Sequence, residues 1–193
     1  MPATKDQIAT EFRKLVLRYG YRRAAVEDVS RSLRISKKTI YEHFAGKEEL
    51  YRYAVELWAR EQRSHVESQL TAPTALGRVE QAVAVAFADA RSGFSANPYI
   101  DDSEPPEIVA DVNAQVFAPV IRALIERGNA SGELHVDDPE ITAAFLVAIG
   151  TEAVRRLRED PQGDAEAAAL AAIRRLLAEV VERHADGRPR RRR

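Results

Sequence analysis

The chain has 193 residues, 45% hydrophobic and 31% charged, an ordinary balance for one large folded domain or two small ones sharing a helix. It contains no cysteine, which excludes a disulfide framework, thiol catalysis and cysteine-ligated zinc and fits a reducing compartment. Net charge is −1, but it is unevenly spread: residues 1–53 carry +5, residues 54–187 carry −11 and the final six carry +5.

A basic head on an acidic body suggests that only the head meets a polyanion. The N-terminal MPATKDQIATEF lacks the apolar core of a signal peptide, and no apolar run reads as long enough to span a bilayer. A cytoplasmic protein without membrane contact is expected.

Helical spacing dominates the chain, and period-2 alternation is nearly absent. Thr4-Lys5-Asp6-Gln7 has the form of a capping box. Ile8, Phe12, Leu15, Val16 and Tyr19 then line one face, and Gly20 stops the helix. A short second helix carries Val26, Val29 and Leu33 inward. After the turn Arg34-Ile35, Ser36 is a good N-cap for a third helix ending near Phe44. A long helix runs from Lys47 to about Leu70, with Leu50, Ala54, Leu57 and Trp58 on one side.

Beyond Pro73, an amphipathic stripe comprises Leu76, Val79, Val83, Ala86, Phe87, Ala90 and Phe94. The segment SANPYIDDSEPPE reads as a long irregular loop. Helical spacing resumes at Ile108 and continues to about Arg127, with a bend or break expected at Pro119. Asp138-Pro139 starts the next helix as a cap and an N1 proline. That helix and the last one are rich in alanine, which lets helix axes approach closely and suits helix–helix packing. An all-α protein of eight to ten helices is expected. The tail after Gly187 is expected to be disordered.

The stretch RSLRISKKTIYEHF carries the chemistry. Ile40 and Phe44 lie one turn apart and share a face directed at the first two helices. Lys37, Lys38, Tyr41 and Glu42 are left outward, flanked by Thr39 and His43. Two short helices joined by a tight turn, the second with a basic outer face, form a helix-turn-helix, whose second helix enters the DNA major groove. Lysine donates to guanine acceptors or phosphate, and tyrosine and threonine hydroxyls reach phosphate oxygens. Lys47, at the start of the long helix, is placed to pin a backbone phosphate.

The segment VEDVSRSLRISKKTIYEHFAGKEEL resembles the N-terminal motif of the tetracycline-repressor (TetR) family of bacterial regulators. The family's Ser-x-x-Thr-hydrophobic-Tyr-x-x-Phe helix, followed by Lys-Glu-x-Leu, is met by Ser36, Thr39, Ile40, Tyr41, Phe44, Lys47, Glu48 and Leu50. Ala25, Arg34 and Glu27 depart from it. Ala25 stands where the family has a capping Thr or Ser, a loss of about 1 kcal/mol. Arg34 replaces the turn glycine and must take a left-handed or bridge conformation. Glu27 stands where relatives contact DNA, and a carboxylate there repels phosphate.

The resemblance implies a DNA-binding domain over residues 4–64, with its motif at about 25–44. It also implies an effector-binding and dimerisation domain over 65–185, ahead of the basic tail at 186–193. It assigns DNA contacts to Ser36, Lys37, Lys38, Thr39, Tyr41, His43 and Lys47. It implies a homodimer on a double-stranded operator, a repressor released by a small-molecule effector, and a pocket among the middle helices. Phe87, Phe94, Tyr99, Phe117, Arg122 and Phe145 are its candidate lining.

The alternative is a helical adaptor whose basic head binds an acidic protein partner, although an adaptor has no need for Tyr41, Lys47 and the turn in this register. The four histidines have no metal-ligand spacing, and neither a phosphate-cradling glycine loop nor a nucleophile elbow occurs. Neither enzymatic activity nor a cofactor is expected.

Overall fold

The computed structural model describes residues 3–94 and 105–185. These residues form eight α-helices and no strand: α1 (Lys5–Tyr19), α2 (Val26–Leu33), α3 (Lys37–Tyr41), α4 (Lys47–Gln69), α5 (Ala75–Phe94), α6 (Pro106–Ser131), α7 (Pro139–Glu159) and α8 (Ala165–Ala185). The expected all-helical class is observed. The basic tail and most of the expected irregular loop, Tyr99 included, lie outside the described residues.

The chain divides into two compact units, Met1–Arg63 with Arg91–Val116, and Ser64–Ala90 with Phe117–Arg193. In the first, α1 starts on a complete capping box: Thr4 Oγ1 accepts from the Gln7 amide at 3.2 Å, and Gln7 Oε1 accepts from the Thr4 amide at 2.9 Å. Ile8, Phe12 and Val16 are buried, whereas Tyr19 is 41% exposed, with the Arg18 guanidinium over its ring at 5.1 Å. Tyr19 therefore leaves the expected stripe at the last residue of the helix. Gly20 follows at φ 81°, where a side chain would be strained, and its amide closes on the Val16 carbonyl at 2.8 Å.

In the second unit, Val66, Val79, Ile121, Leu124, Ile125, Leu134, Val136, Leu146, Ile173 and Leu177 form one core. Its connections are tied by side chains. Asn129 accepts from the Val136 amide at 3.0 Å and donates to its carbonyl at 2.9 Å, pairing as a strand neighbour would. The Ala75 amide donates to Glu133 at 2.6 Å, and Asp138 caps α7 at the Ile141 amide at 3.0 Å, just ahead of Pro139.

The expected break at Pro119 is not found: α6 continues through it. Pro119 is exposed, so the carbonyl that its missing N–H orphans can be served by water. The sequence reading that no apolar run is long enough for a membrane also needs correction. Glu107–Ser131 reaches that length and a mean hydropathy of 1.5. Its apolar side chains have protein partners, however: Ile121, Leu124 and Ile125 belong to the core of the second unit. Such a stretch marks a core helix as readily as a span.

Candidate nucleic-acid interface

The first unit presents α3 by burying one side of it. Ile40 and Phe44 are each 1% exposed, and each contributes roughly 1.5–3 kcal/mol by leaving water. The Phe44 ring meets Tyr53 edge-on at 5.6 Å, and the Lys5 ammonium lies over both rings, 4.9 Å and 4.4 Å from their centroids. Tyr53 in turn donates its hydroxyl to Asp6 at 2.6 Å, a bond that raises its phenol above the ordinary value. These contacts join α1, α4 and the residues after α3 and fix the direction of the outward side.

The turn before α3 has the geometry required by its sequence. Arg34 sits at φ 55°, ψ 42°, in the left-handed region. The Ile35 amide donates to the Ser30 carbonyl at 3.0 Å and the Arg34 amide to that of Arg31 at 3.3 Å, closing α2. At the other end of α2, Ala25 offers no side-chain cap. Ser36 does cap α3: its Oγ accepts from the Thr39 amide at 3.0 Å and lies 2.9 Å from the Thr39 hydroxyl.

The seven candidate contact residues fall into three groups. Lys37, Lys38 and Tyr41 are exposed on the outer side of α3, Tyr41 to 52%. The Lys38 ammonium is 3.9 Å from Glu42, beyond hydrogen-bond reach, and remains available. Ser36 and Thr39 use their hydroxyls on each other, while His43 is half-buried with its ring tilted against Phe44.

Lys47 stands apart. Its ammonium donates to the Arg22 carbonyl at 3.1 Å and lies 4.5 Å from the Tyr21 ring, and burial lowers its pKa. In this arrangement its cation fastens the α1–α2 connection and is not directed outward.

Two features escaped the sequence reading. Glu27, in the first turn of α2, forms an ion pair with Lys37 across the motif. The hydrogen bond from Lys37 is the largest cause of a lowered Glu27 pKa. The amide of Ala45 is taken by Glu49, at 2.6 Å, just before α4.

Residues 13–54 match the sequence model of the family described as bacterial regulatory proteins, tetR family. That segment spans the helix-turn-helix, which is therefore similar to the one of this family. No curated protein matches the sequence. Solved structures of tetR-type regulators share the fold over almost the whole chain. RolR in complex with its ligand resorcinol is 16% identical with a TM-score of 0.72, covering 97% of this chain and 95% of its own. FadR of Bacillus subtilis in complex with stearoyl-CoA is 15% identical at 0.65, covering 89% and 97%. A TetR transcriptional regulator from Chloroflexus aurantiacus J-10-FL is 22% identical at 0.59, covering 88% and 91%. The tetR-type fold of the chain, a helix-turn-helix region followed by a helical region, agrees with the expected architecture.

Of the six expected pocket residues, the four whose side chains are described differ widely in exposure. Phe87 is fully buried, and Phe117 packs half-buried against the core of the second unit. Arg122 is half-buried near Glu126 and Glu140, at 3.6 Å and 3.7 Å, and its buried Nε has no hydrogen-bond partner. Phe145 is 61% exposed, because Ala143 and Leu146 take the inward positions of α7. Phe94 lies in the last turn of α5, but its side chain, like Tyr99, falls outside the described residues. A shallow groove lined by Asp6, Gln7, Glu11, Lys14, Leu33 and Ile35 includes none of the predicted site residues. Among the described residues, no cluster of three or more His, Asp or Glu side chains is arranged to hold a metal.

Proposed function

We propose that this protein is a homodimeric transcriptional regulator, a repressor that a small-molecule effector releases from its operator. The observation that carries this reading is the outer side of α3. Lys37, Lys38 and Tyr41 are exposed there, while Ile40 and Phe44 anchor the opposite side. A short helix so anchored can seat in a major groove with its first turn at base edges. Base contacts go to Lys37 and Lys38, and backbone contacts to Tyr41, with Thr39 and His43 at the flanks. Ser36 serves the turn, and Lys47 places the α1–α2 connection near the backbone. A regulator of this kind needs no catalytic group, and a bacterial operator is met in the cytoplasm.

Two heads must reach half-sites about 34–36 Å apart, which calls for a dimer. The outer sides of α7 and α8 support one: Ile141, Ala144, Phe145 and Ala148 are exposed on α7, and Ala168 and Leu176 on α8. Two such helices from each chain make a symmetric four-helix interface.

The similar structures hold ligands as different as resorcinol and stearoyl-CoA, so an effector is expected and its class is open. The candidate pocket groups remain Phe87, Phe94, Tyr99, Phe117 and Arg122, with Phe145 reassigned to the dimer face. Occupying the pocket would bias the spacing of the two heads and so change operator affinity.

The deciding experiment is a gel shift with sheared DNA at two salt concentrations, followed by footprinting of a retained fragment. Retention that weakens steeply with salt is expected. Lys38→Ala should weaken the footprinted site by roughly 1–3 kcal/mol if the lysine reads a base. A chain that ignores DNA but retains an acidic protein would favour the adaptor reading.

A further inference from the structure

Glu27 is out of place in a surface that approaches a polyanion. An acid in the first turn of α2 suits the helix dipole, but Asp28 already supplies one, held by Arg31 at 2.5 Å. Glu27 reaches across the turn instead and pairs with Lys37, the first residue of α3, ten positions on. The partners lie on different helices, and their side chains are 48% and 52% exposed, so the pair stands open to a ligand. The neighbouring Lys38 is 87% exposed and only loosely near Glu42. Two adjacent lysines on one short helix are thus held very differently.

We propose that Glu27 is a specificity-determining residue, which holds the Lys37 ammonium so that this lysine engages base edges in preference to backbone phosphates. The inference rests on the DNA-binding reading above. Its chemistry follows from what each competitor brings. A phosphate that takes Lys37 must sit beside the Glu27 carboxylate and repel it, or leave that carboxylate without its partner. A guanine edge offers the neutral acceptors O6 and N7. Lysine has three N–H donors, so Lys37 can keep Glu27 on one while donating to guanine with another. The carboxylate thus penalises sequence-independent contact and leaves base reading permitted, discrimination by a built-in repulsive element. Non-specific affinity arises from cations that neutralise phosphates, and Glu27 removes one such cation per head from that role.

A double-mutant cycle on random-sequence duplex DNA tests this, using Glu27→Gln, Lys37→Gln and the pair in the full chain. All four side-chain combinations should fold alike, because both positions are solvent-exposed. Lys37→Gln alone leaves the Glu27 charge unpaired and should weaken non-specific affinity, but by a smaller factor than the same change costs in the Glu27→Gln background. Glu27→Gln should tighten it severalfold at low salt and steepen the salt slope by about one per head. Lys37→Gln added to Glu27→Gln should abolish both gains. If Lys37→Gln costs the same in both backgrounds, Glu27 acts only as a distant negative charge and the proposal is overturned. If the wild-type chain and every variant fail to bind duplex, the DNA-binding reading falls and takes this proposal with it.

Discussion

The two compact units secure their backbones differently. In the second, the connection from α6 to α7 is pinned by Asn129 to both backbone groups of Val136, α7 begins on Asp138-Pro139, and the Ala75 amide at the start of α5 is met by Glu133. In the first, α1 and α3 are capped by Thr4 and Ser36. Helix α2 between them starts on Ala25 with no side-chain cap and ends on a left-handed Arg34. The weakly secured helix is the one that carries Glu27 and leads into the turn before the proposed reading helix. Local rules are broken where function is proposed and kept where the chain is only being held, as expected when a site is held by the packing around it.

The largest test of this contrast removes that packing. Phe44→Ala deletes a side chain that contacts Tyr53 and Lys5 and is 1% exposed. It should cost about 3–5 kcal/mol and abolish DNA retention, because Phe44 is the larger of the two buried side chains, with Ile40, that hold the inner side of α3. Denaturant unfolding with a parallel gel shift reads both. A variant that unfolds normally would show that the capped ends, and not the aromatic anchor, hold α3.

Asn129→Ala probes the other unit. It removes both partners of the Val136 backbone at a half-buried site, and an unsatisfied donor or acceptor costs about 1–3 kcal/mol. Thermal unfolding should register the loss. Asn129→Asp should restore only the bond from the Val136 amide, and so recover part of it.

Ala148→Phe acts at the proposed dimer face and not in the core of the single chain, where Ala148 is exposed. The chain should stay folded, while a close crossing of α7 with its copy is overpacked by about 1–3 kcal/mol for each Phe. Analytical ultracentrifugation should show a shift toward monomer. A folded dimer at micromolar concentration would place the interface elsewhere.

What was legible in the sequence follows how far each determinant reaches along the chain. The Thr4 box, the Ser36 cap, the missing cap at Ala25 and the left-handed Arg34 are decided within four residues, and the structure has all of them. The inward pair Ile40 and Phe44 is decided by one helical turn. Tyr19 was misassigned because a stripe continued to the last residue of a helix has no further turn to pack beneath it. Phe145 was ambiguous for a different reason. In an Ala-rich helix several faces are apolar, and Leu146 fills the core position. The inward turn of Lys47 depends on a carbonyl 25 residues earlier, and the Glu27–Lys37 pair on two helices meeting across a turn. Neither long-range choice is encoded in a local pattern.

The smallest expected effects come from repairing α2. Ala25 already has the extended conformation of an N-cap, φ −114° and ψ 147°. Ala25→Ser therefore needs no backbone change, and its hydroxyl can accept from an amide of the first turn. The gain should be about 1 kcal/mol. Arg34→Gly relieves a left-handed residue, worth roughly 1–2 kcal/mol. Glycine gives back part of this through the entropy of the unfolded chain, so a net gain of about 0.5–1 kcal/mol is expected. Amide exchange should slow across α2 and α3 in both variants, while residues of α7 and α8 keep their rates. If α2 is loose because the reading helix must adjust on DNA, the double variant should be more stable and bind a footprinted site no more tightly than wild type. Equal gains in stability and affinity would instead make the missing cap and the strained turn plain defects, and the contrast between the two units would lose its functional meaning.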